Sequence, residues 1–89
     1  MKAVISVIGK DKVGIIAKTS TECMRYGANI VDISQTVMQE YFTMIMLVEI
    51  AGVSVSFSEF ANSMEKMGKE NDLEIHVMHE DIFNSMHRI

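Results

Sequence analysis

Apolar and polar positions along the 89-residue chain fall into blocks whose period switches between that of a strand and that of a helix. Positions 2–8 carry Val4, Ile5, Val7 and Ile8 and run into Gly9. A short β-branched run that ends at glycine predicts a strand. Apolar or small residues then recur at helical spacing, at Val13, Ile16, Ala17, Ser20, Cys23, Met24 and Gly27. Asp11 is placed to cap that helix at its start, and Gly27 to stop it. Positions 29–39 mix Ile30, Val31, Ile33, Val37 and Met38 with polar residues, and 42–50 are apolar apart from Thr43 and Glu49. Both read as strands, joined by a tight turn at Gln39 and Glu40. A loop starts at Ala51 and Gly52. Ser56 with Glu59 forms a capping box, and Val55 and Phe60 hold the staple positions around it. The helix that follows has one stripe of Phe57, Phe60, Ala61, Met64, Met67 and Gly68 and should fade near Glu70 or Asn71. Leu73, Ile75 and Val77 alternate with Glu74 and His76, as in a half-exposed strand. Ile82, Phe83, Met86 and Ile89 follow at rough helical spacing, enough for one or two turns.

The order is βαββαβ. Two right-handed crossovers on an antiparallel sheet give an α+β, ferredoxin-like sandwich with strand order 4-1-3-2 and both helices on one face. That layout leaves a second face open, yet the central strands are apolar on both sides. Phe42, Met44, Met46, Val48 and Ile50 form one alternating set, and Ile45 and Leu47 belong to the other. The first strand likewise sets Val4 and Ile8 against Ala3, Ile5 and Val7. Burying an aliphatic side chain is favourable by about 1.5–3 kcal/mol, and monomers seldom expose large apolar patches. The expectation is therefore a homodimer, with the second face or a sheet edge covered by another copy.

Composition narrows the function classes. Hydrophobic residues are 48% and charged residues 22%, which is globular rather than disordered. The net charge is -4, a poor balance for generic phosphate-backbone binding, so no nucleic acid is expected as a partner. Cys23 is the single cysteine, so no internal disulfide and no multi-cysteine metal site can form. No run approaches the ~20 apolar residues of a membrane span, and the first apolar run is short for a signal peptide. A cytoplasmic protein with no membrane partner is expected. Nine methionines suit an adaptable core or interface, or gap filling.

Three segments resemble an ACT domain, a small regulatory module of ferredoxin-like fold that commonly binds amino acids. They are GKDKVGIIA from Gly9 to Ala17, GANIVDIS from Gly27 to Ser34, and FTMIMLVEI from Phe42 to Ile50. The likeness is to small stand-alone ACT proteins, to ACT domains of the glycine-cleavage repressor type and to the N-terminal domain of formyltetrahydrofolate deformylase. It implies an ACT domain over residues 1–79 and a tail over 80–89. It also implies a site in which turn amides take a carboxylate and an Asx-type residue at the start of the second strand takes polar groups. The site residues so expected are Asp11, Lys12, Val13, Gly14, Ile15, Asn29 and Ile30.

Each has a plainer reading beside the functional one. A strand-to-helix turn presents unpaired amides and a positive dipole end, which suits a carboxylate. Gly14, read in the first helical turn, costs about 1 kcal/mol relative to alanine. Close approach of a ligand or partner strand explains that, and so does close helix packing. Asp11 can bind an ammonium group or cap the helix. Asn29 can contact a ligand or serve as a turn residue in the left-handed region. Ile30 can be contact or core. Gln35 can reach an interface pocket or stay solvated.

Other functions of the same fold fit worse. An acylphosphatase-like enzyme needs an arginine in the first turn, whereas Arg25 lies late in the first helix and Arg88 in the tail. No enzymatic activity and no cofactor are expected. His76 and His79, three apart on a strand, fall on opposite faces, so no metal site is expected there. An RNA-reading sheet needs exposed aromatics and a basic surface. Two readings remain. One is a regulatory dimer that binds an amino acid or similar metabolite near the first turn and signals through a metabolic enzyme or regulator. The other is an interaction or oligomerisation module without a ligand.

Overall fold

The computed structural model describes residues 1–10 and 14–86. The expectations placed on Asp11, Lys12 and Val13, and on the last residues 87–89, lie outside the described residues. The elements are β1 (Lys2–Lys10), α1 (Ile15–Tyr26), β2 (Asn29–Met38), β3 (Tyr41–Glu49), α2 (Phe57–Glu70), β4 (Glu74–His79) and α3 (Glu80–Met86). The sheet is antiparallel in the order β2-β3-β1-β4, the expected 4-1-3-2 arrangement read from the other edge. α1 and α2 lie on one face of it.

Register and burial together assign the two faces. Ala3, Ile5 and Val7 of β1 pair with Val48, Met46 and Met44 of β3, and all six are buried. Ile75 joins them opposite Val7, and Phe60 and Met64 of α2 close the layer from above. α2 starts as its sequence promises, with Ser56 Oγ accepting the Glu59 amide at 3.2 Å. Tyr26 ties the helices together. Its hydroxyl lies 2.7 Å from Ser63 Oγ, and its ring meets Phe60 edge-on at 6.0 Å.

β1 does not stop at Gly9. Its ladder continues through Gly9 opposite Phe42 to Lys10 opposite Tyr41, because β3 keeps offering backbone partners to that point. β2 contains an irregularity between Ile30 and Asp32, where Val31 is left without a cross-strand partner. The Gln39–Glu40 turn is present, with Gln39 at φ 56. α3 follows β4 directly and lies against β1 and β4. At its start the Asp81 amide donates to His79 Nδ1 at 3.2 Å.

The phase of α1 differs from the expected stripe. Its buried positions are Ile15, Thr19 and Cys23, whereas Ile16, Ala17 and Met24 are exposed. Thr19 is what shifts the phase. It is fully buried, and its hydroxyl donates to the Ile15 carbonyl at 2.8 Å. A polar residue satisfied in this way can occupy a core position that periodicity assigns to an apolar one.

The open face is only partly covered within the chain. Val4 is only 7% exposed within the single chain. Ile8 and Ile45 are 43% and 42% exposed, but they sit diagonally, opposite Thr43 and Ser6 respectively. Tyr41 and Met38, partners on the same face, are 50% and 69% exposed, so an apolar patch remains there with Ser6 and Thr43 inside it.

Phe60 is fully buried, so Phe60→Ala should cost about 3–5 kcal/mol. That is a large share of the ~4–13 kcal/mol available to a chain of this length. Thermal unfolding should show a Tm more than about 10 °C lower. The exposed control Lys66→Ala should stay within about 0.5 kcal/mol of the parent.

Candidate functional site

The expected site residues divide between the two ends of α1. Gly14 is the N-cap of α1, at φ 88 and ψ 5, rather than a residue of its first turn. The helix therefore begins at Ile15, and the N-cap role expected of Asp11 belongs to Gly14. A Cβ added at Gly14 would meet nothing within 4 Å. Close packing is thus not the reason for glycine; the left-handed backbone is. The Gly14 carbonyl accepts the Lys18 amide at 2.9 Å.

α1 begins without a side-chain cap and without an acidic residue in its first turn. α2 has both, in Ser56 and Glu59. Positive potential at the start of α1 is consequently left without a side-chain partner among the described residues. Ile15, the first helical residue, is buried and belongs to the core, and its side chain also borders the turn.

Asn29 and Ile30 lie at the other end. Gly27 takes the left-handed position after α1, with its amide bonded to the Met24 carbonyl. Asn29 is therefore an ordinary first residue of β2, paired with Glu49, and its left-handed alternative does not apply. Ile30 is half-buried opposite Val48 and packs against the core. A 12-residue helix separates Gly14 from Asn29, about 18 Å of rise. Within one chain, a single small molecule cannot touch both.

What joins the two ends is a groove between α1 and the free edge of β2. Near the turn it is lined by Gly14, Ile16, Ala17, Gln35 and Val37, in a hollow of about 560 Å³. Near the far end it is lined by Ala17, Ser20, Thr21, Met24, Asn29 and Ile30, in a hollow of about 430 Å³. Gln35, weighed from the sequence as an interface residue, faces the helix side opposite Met44 and belongs to the first hollow. Ala17, Thr21, Met24 and Val37 are the residues that sequence reasoning missed. Their signal was present: positions 16, 17, 20, 21 and 24 of an exposed helix carry no charge.

The charged residues of α1 point elsewhere. Lys18 Nζ donates to Asn71 Oδ1 at 2.9 Å, and Arg25 pairs with Glu22 at 3.3 Å. The one charged residue of β2, Asp32, pairs with Leu47 on the opposite sheet face and accepts the Ile33 amide. Met24 is 73% exposed and Val37 55%. Of the ten large apolar side chains exposed among the described residues, five lie on α1 or β2: Ile16, Met24, Val31, Val37 and Met38. β2 is also an edge strand, paired only with β3.

Other chemistry finds little support. Cys23 is buried, and burial followed by the nearby Glu22 charge pushes its thiol up to about 11, so it is not a thiolate at neutral pH. His76 and His79 fall on opposite faces, opposite Ser6 and Ala3. No helix among the described residues is long and apolar enough to cross a membrane.

Comparison with known proteins places the whole chain. Residues 2–78 match the family model described as ACT domain. A UPF0237 protein of Clostridium acetobutylicum is 52% identical over 89 residues, the full length of both chains. An ACT domain protein from Streptococcus pneumoniae of known structure is 42% identical, covers 93% of each chain and superposes with a TM-score of 0.82. The same fold recurs in 43% of a protein assigned as a glycine cleavage system transcriptional repressor, with 24% identity and a TM-score of 0.74 over 85% of this chain.

The two left-handed glycines separate backbone strain from crowding. Gly14→Ala should cost about 1–2 kcal/mol, the left-handed penalty alone. Gly27→Ala should cost more, because its Cβ would also lie 2.6 Å from the Gly52 carbonyl oxygen. Denaturant midpoints at unchanged m-value measure both, and Gly14→Asn should be milder than Gly14→Ala.

Proposed function

We propose, from the premise that this chain belongs to the ACT domain family, that it is a non-enzymatic regulatory module in which two copies bind an amino acid or similar small metabolite between them. The observation that carries this reading is the α1–β2 groove along an open sheet edge, with the α1 turn at one end and Asn29 at the other, and no charge among the described residues that line it. Edge strands with free backbone groups invite pairing. Antiparallel pairing of two β2 strands about their midpoint sets Asn29 of one copy across from Met38 of the partner, at the strand end where Val37 shares a hollow with Gly14. The turn and the strand start, about 18 Å apart within a chain, then face one another across the interface.

The chemistry of the two ends is complementary to an amino acid. Uncapped first-turn amides and the positive end of α1 favour a carboxylate. The Asn29 carboxamide offers an acceptor to the ammonium group and a donor to the carboxylate. Asp11, Lys12 and Val13 precede this turn in sequence and are assigned to the same site by family resemblance. A ligand bound between copies favours the paired arrangement over the separated one, and that differential affinity is what a regulatory partner, an enzyme or a regulator, reads. A cytoplasmic location suits such a role.

Two measurements test this. Sedimentation should give a dimer, and Val31→Lys on the exposed edge should lower the dimer fraction without unfolding the chain. A thermal-shift screen of the 20 amino acids should give at least one ligand with Kd in the μM to mM range, about -8 to -4 kcal/mol. At 100 times Kd it adds about 2.7 kcal/mol, several degrees here. A dimer that responds to none of the 20 would point instead to an assembly module without a ligand.

A further inference from the structure

We infer, resting on the reading that copies pair along β2, that the open sheet face is a second interface, through which two such pairs stack sheet on sheet into an assembly of four. On that face β1 carries Val4, Ser6 and Ile8, and β3 carries Tyr41, Thr43, Ile45 and Leu47. Its exposed apolar side chains, Ile8, Ile45, Tyr41 and Met38, run from β1 across β3 to the end of β2, where Met38 pairs with Tyr41. Charged residues of the same face lie around them. Lys2 and Glu49 stand opposite each other at one end, Lys10 at the other, Asp32 on β2 and Glu74 on β4. An apolar middle inside a polar rim is the anatomy of a protein interface. A two-fold contact presents the face to itself, and a rim that carries both signs does not repel its own copy.

Area decides the order of assembly. Four strands spaced ~4.8 Å apart, each roughly nine residues long at ~3.3 Å per residue, span about 550 Å². A stable interface takes about 800 Å² from each partner. One open face falls short of that, the more so because Val4 is already covered within the chain. Antiparallel pairing along β2 changes the balance. It relates the two copies by an axis perpendicular to the sheet, so both open faces turn to the same side and join into one surface of about 1,100 Å². That surface is large enough. Stacked sheets lie about 10 Å apart with their side chains interleaved, and Ile8, Ile45, Tyr41 and Met38 are the side chains exposed to do so. The groove between α1 and β2 lies on the helix side of the sheet, so stacking leaves it open.

The test is sedimentation of the full chain over the micromolar to millimolar range, with thermal unfolding to show that each variant is folded. The dimer should be the species at low concentration and should pass to four copies as concentration rises. Met38 is exposed at a strand end, so Met38→Glu should fold normally. Met38→Glu and Ile45→Lys should each raise the concentration at which pairs become fours tenfold or more and leave the pairs intact. Val31→Lys, which blocks the edge, should abolish the fours together with the pairs. If pairs persist with no fours at any concentration, this inference is wrong while the edge reading stands, and the face takes a partner other than this chain. If fours form and resist both Met38→Glu and Ile45→Lys, the copies are joined elsewhere and the inference is equally wrong. If Val31→Lys leaves pairs that Ile45→Lys breaks, one open face suffices by itself, and both the order of assembly and the edge reading fall. A chain that stays single throughout overturns both.

Discussion

Two helices cannot shield two faces and two edges of a four-stranded sheet, and the surface of this chain is shaped by how the shortfall is distributed. One face is filled by α1 and α2 over Ala3, Ile5, Val7, Met44, Met46 and Val48. The other face is covered only at Val4; Ile8, Ile45, Tyr41 and Met38 stay exposed on it beside Ser6 and Thr43. What remains is the β2 edge, where unpaired backbone groups coincide with Val31, Val37 and Met38. An edge strand normally carries charge or proline as protection against pairing. β2 has neither on its helix side. The expectation of a second copy, which alternation in β1 and β3 first suggests, applies to this edge as well as to the open face.

Most of the architecture is legible from periodicity because the strands are short, β-branched and separated by turn residues, and because α2 announces itself through Ser56 and Glu59. Three features are not. The length of β1 depends on β3 continuing to offer partners to Gly9 and Lys10, and pairing is a tertiary fact. The register irregularity at Val31 needs the same information. The phase of α1 turns on Thr19, whose hydroxyl satisfies itself on the preceding turn and so tolerates full burial. Ser20 looked like the better core residue because it completes a spacing with Val13, Ile16 and Ala17. Spacing alone cannot weigh a local hydrogen bond against a side-chain type.

That one-residue phase difference decides what the candidate site is made of. Had Ile16, Ala17 and Met24 been core, the groove along β2 would have been a closed packing surface, and the turn at Gly14 would have been left as the single plausible ligand contact. With Ile15, Thr19 and Cys23 inside, the same apolar residues stand in water and line the groove instead. Family resemblance points to Gly14 and Asn29 as separate landmarks, and the fold sets them at opposite ends of a helix.

The weight of the functional argument accordingly moves from the turn to the groove. Gly14 is fully accounted for by its left-handed backbone, with open space where a side chain would stand. Its identity therefore says nothing about a ligand, in either direction. The lack of charged side chains among the described residues that line the groove has no such local explanation. Exposed positions on a helix readily accept lysine or glutamate, and this helix has both, on its other side. A surface that keeps water in contact with Met24 and Val37 while Lys18, Glu22, Arg25 and Asp32 point elsewhere is costly for an isolated chain. Covering it is favourable, and the proposed pairing of two copies along β2 would lay one groove against the other.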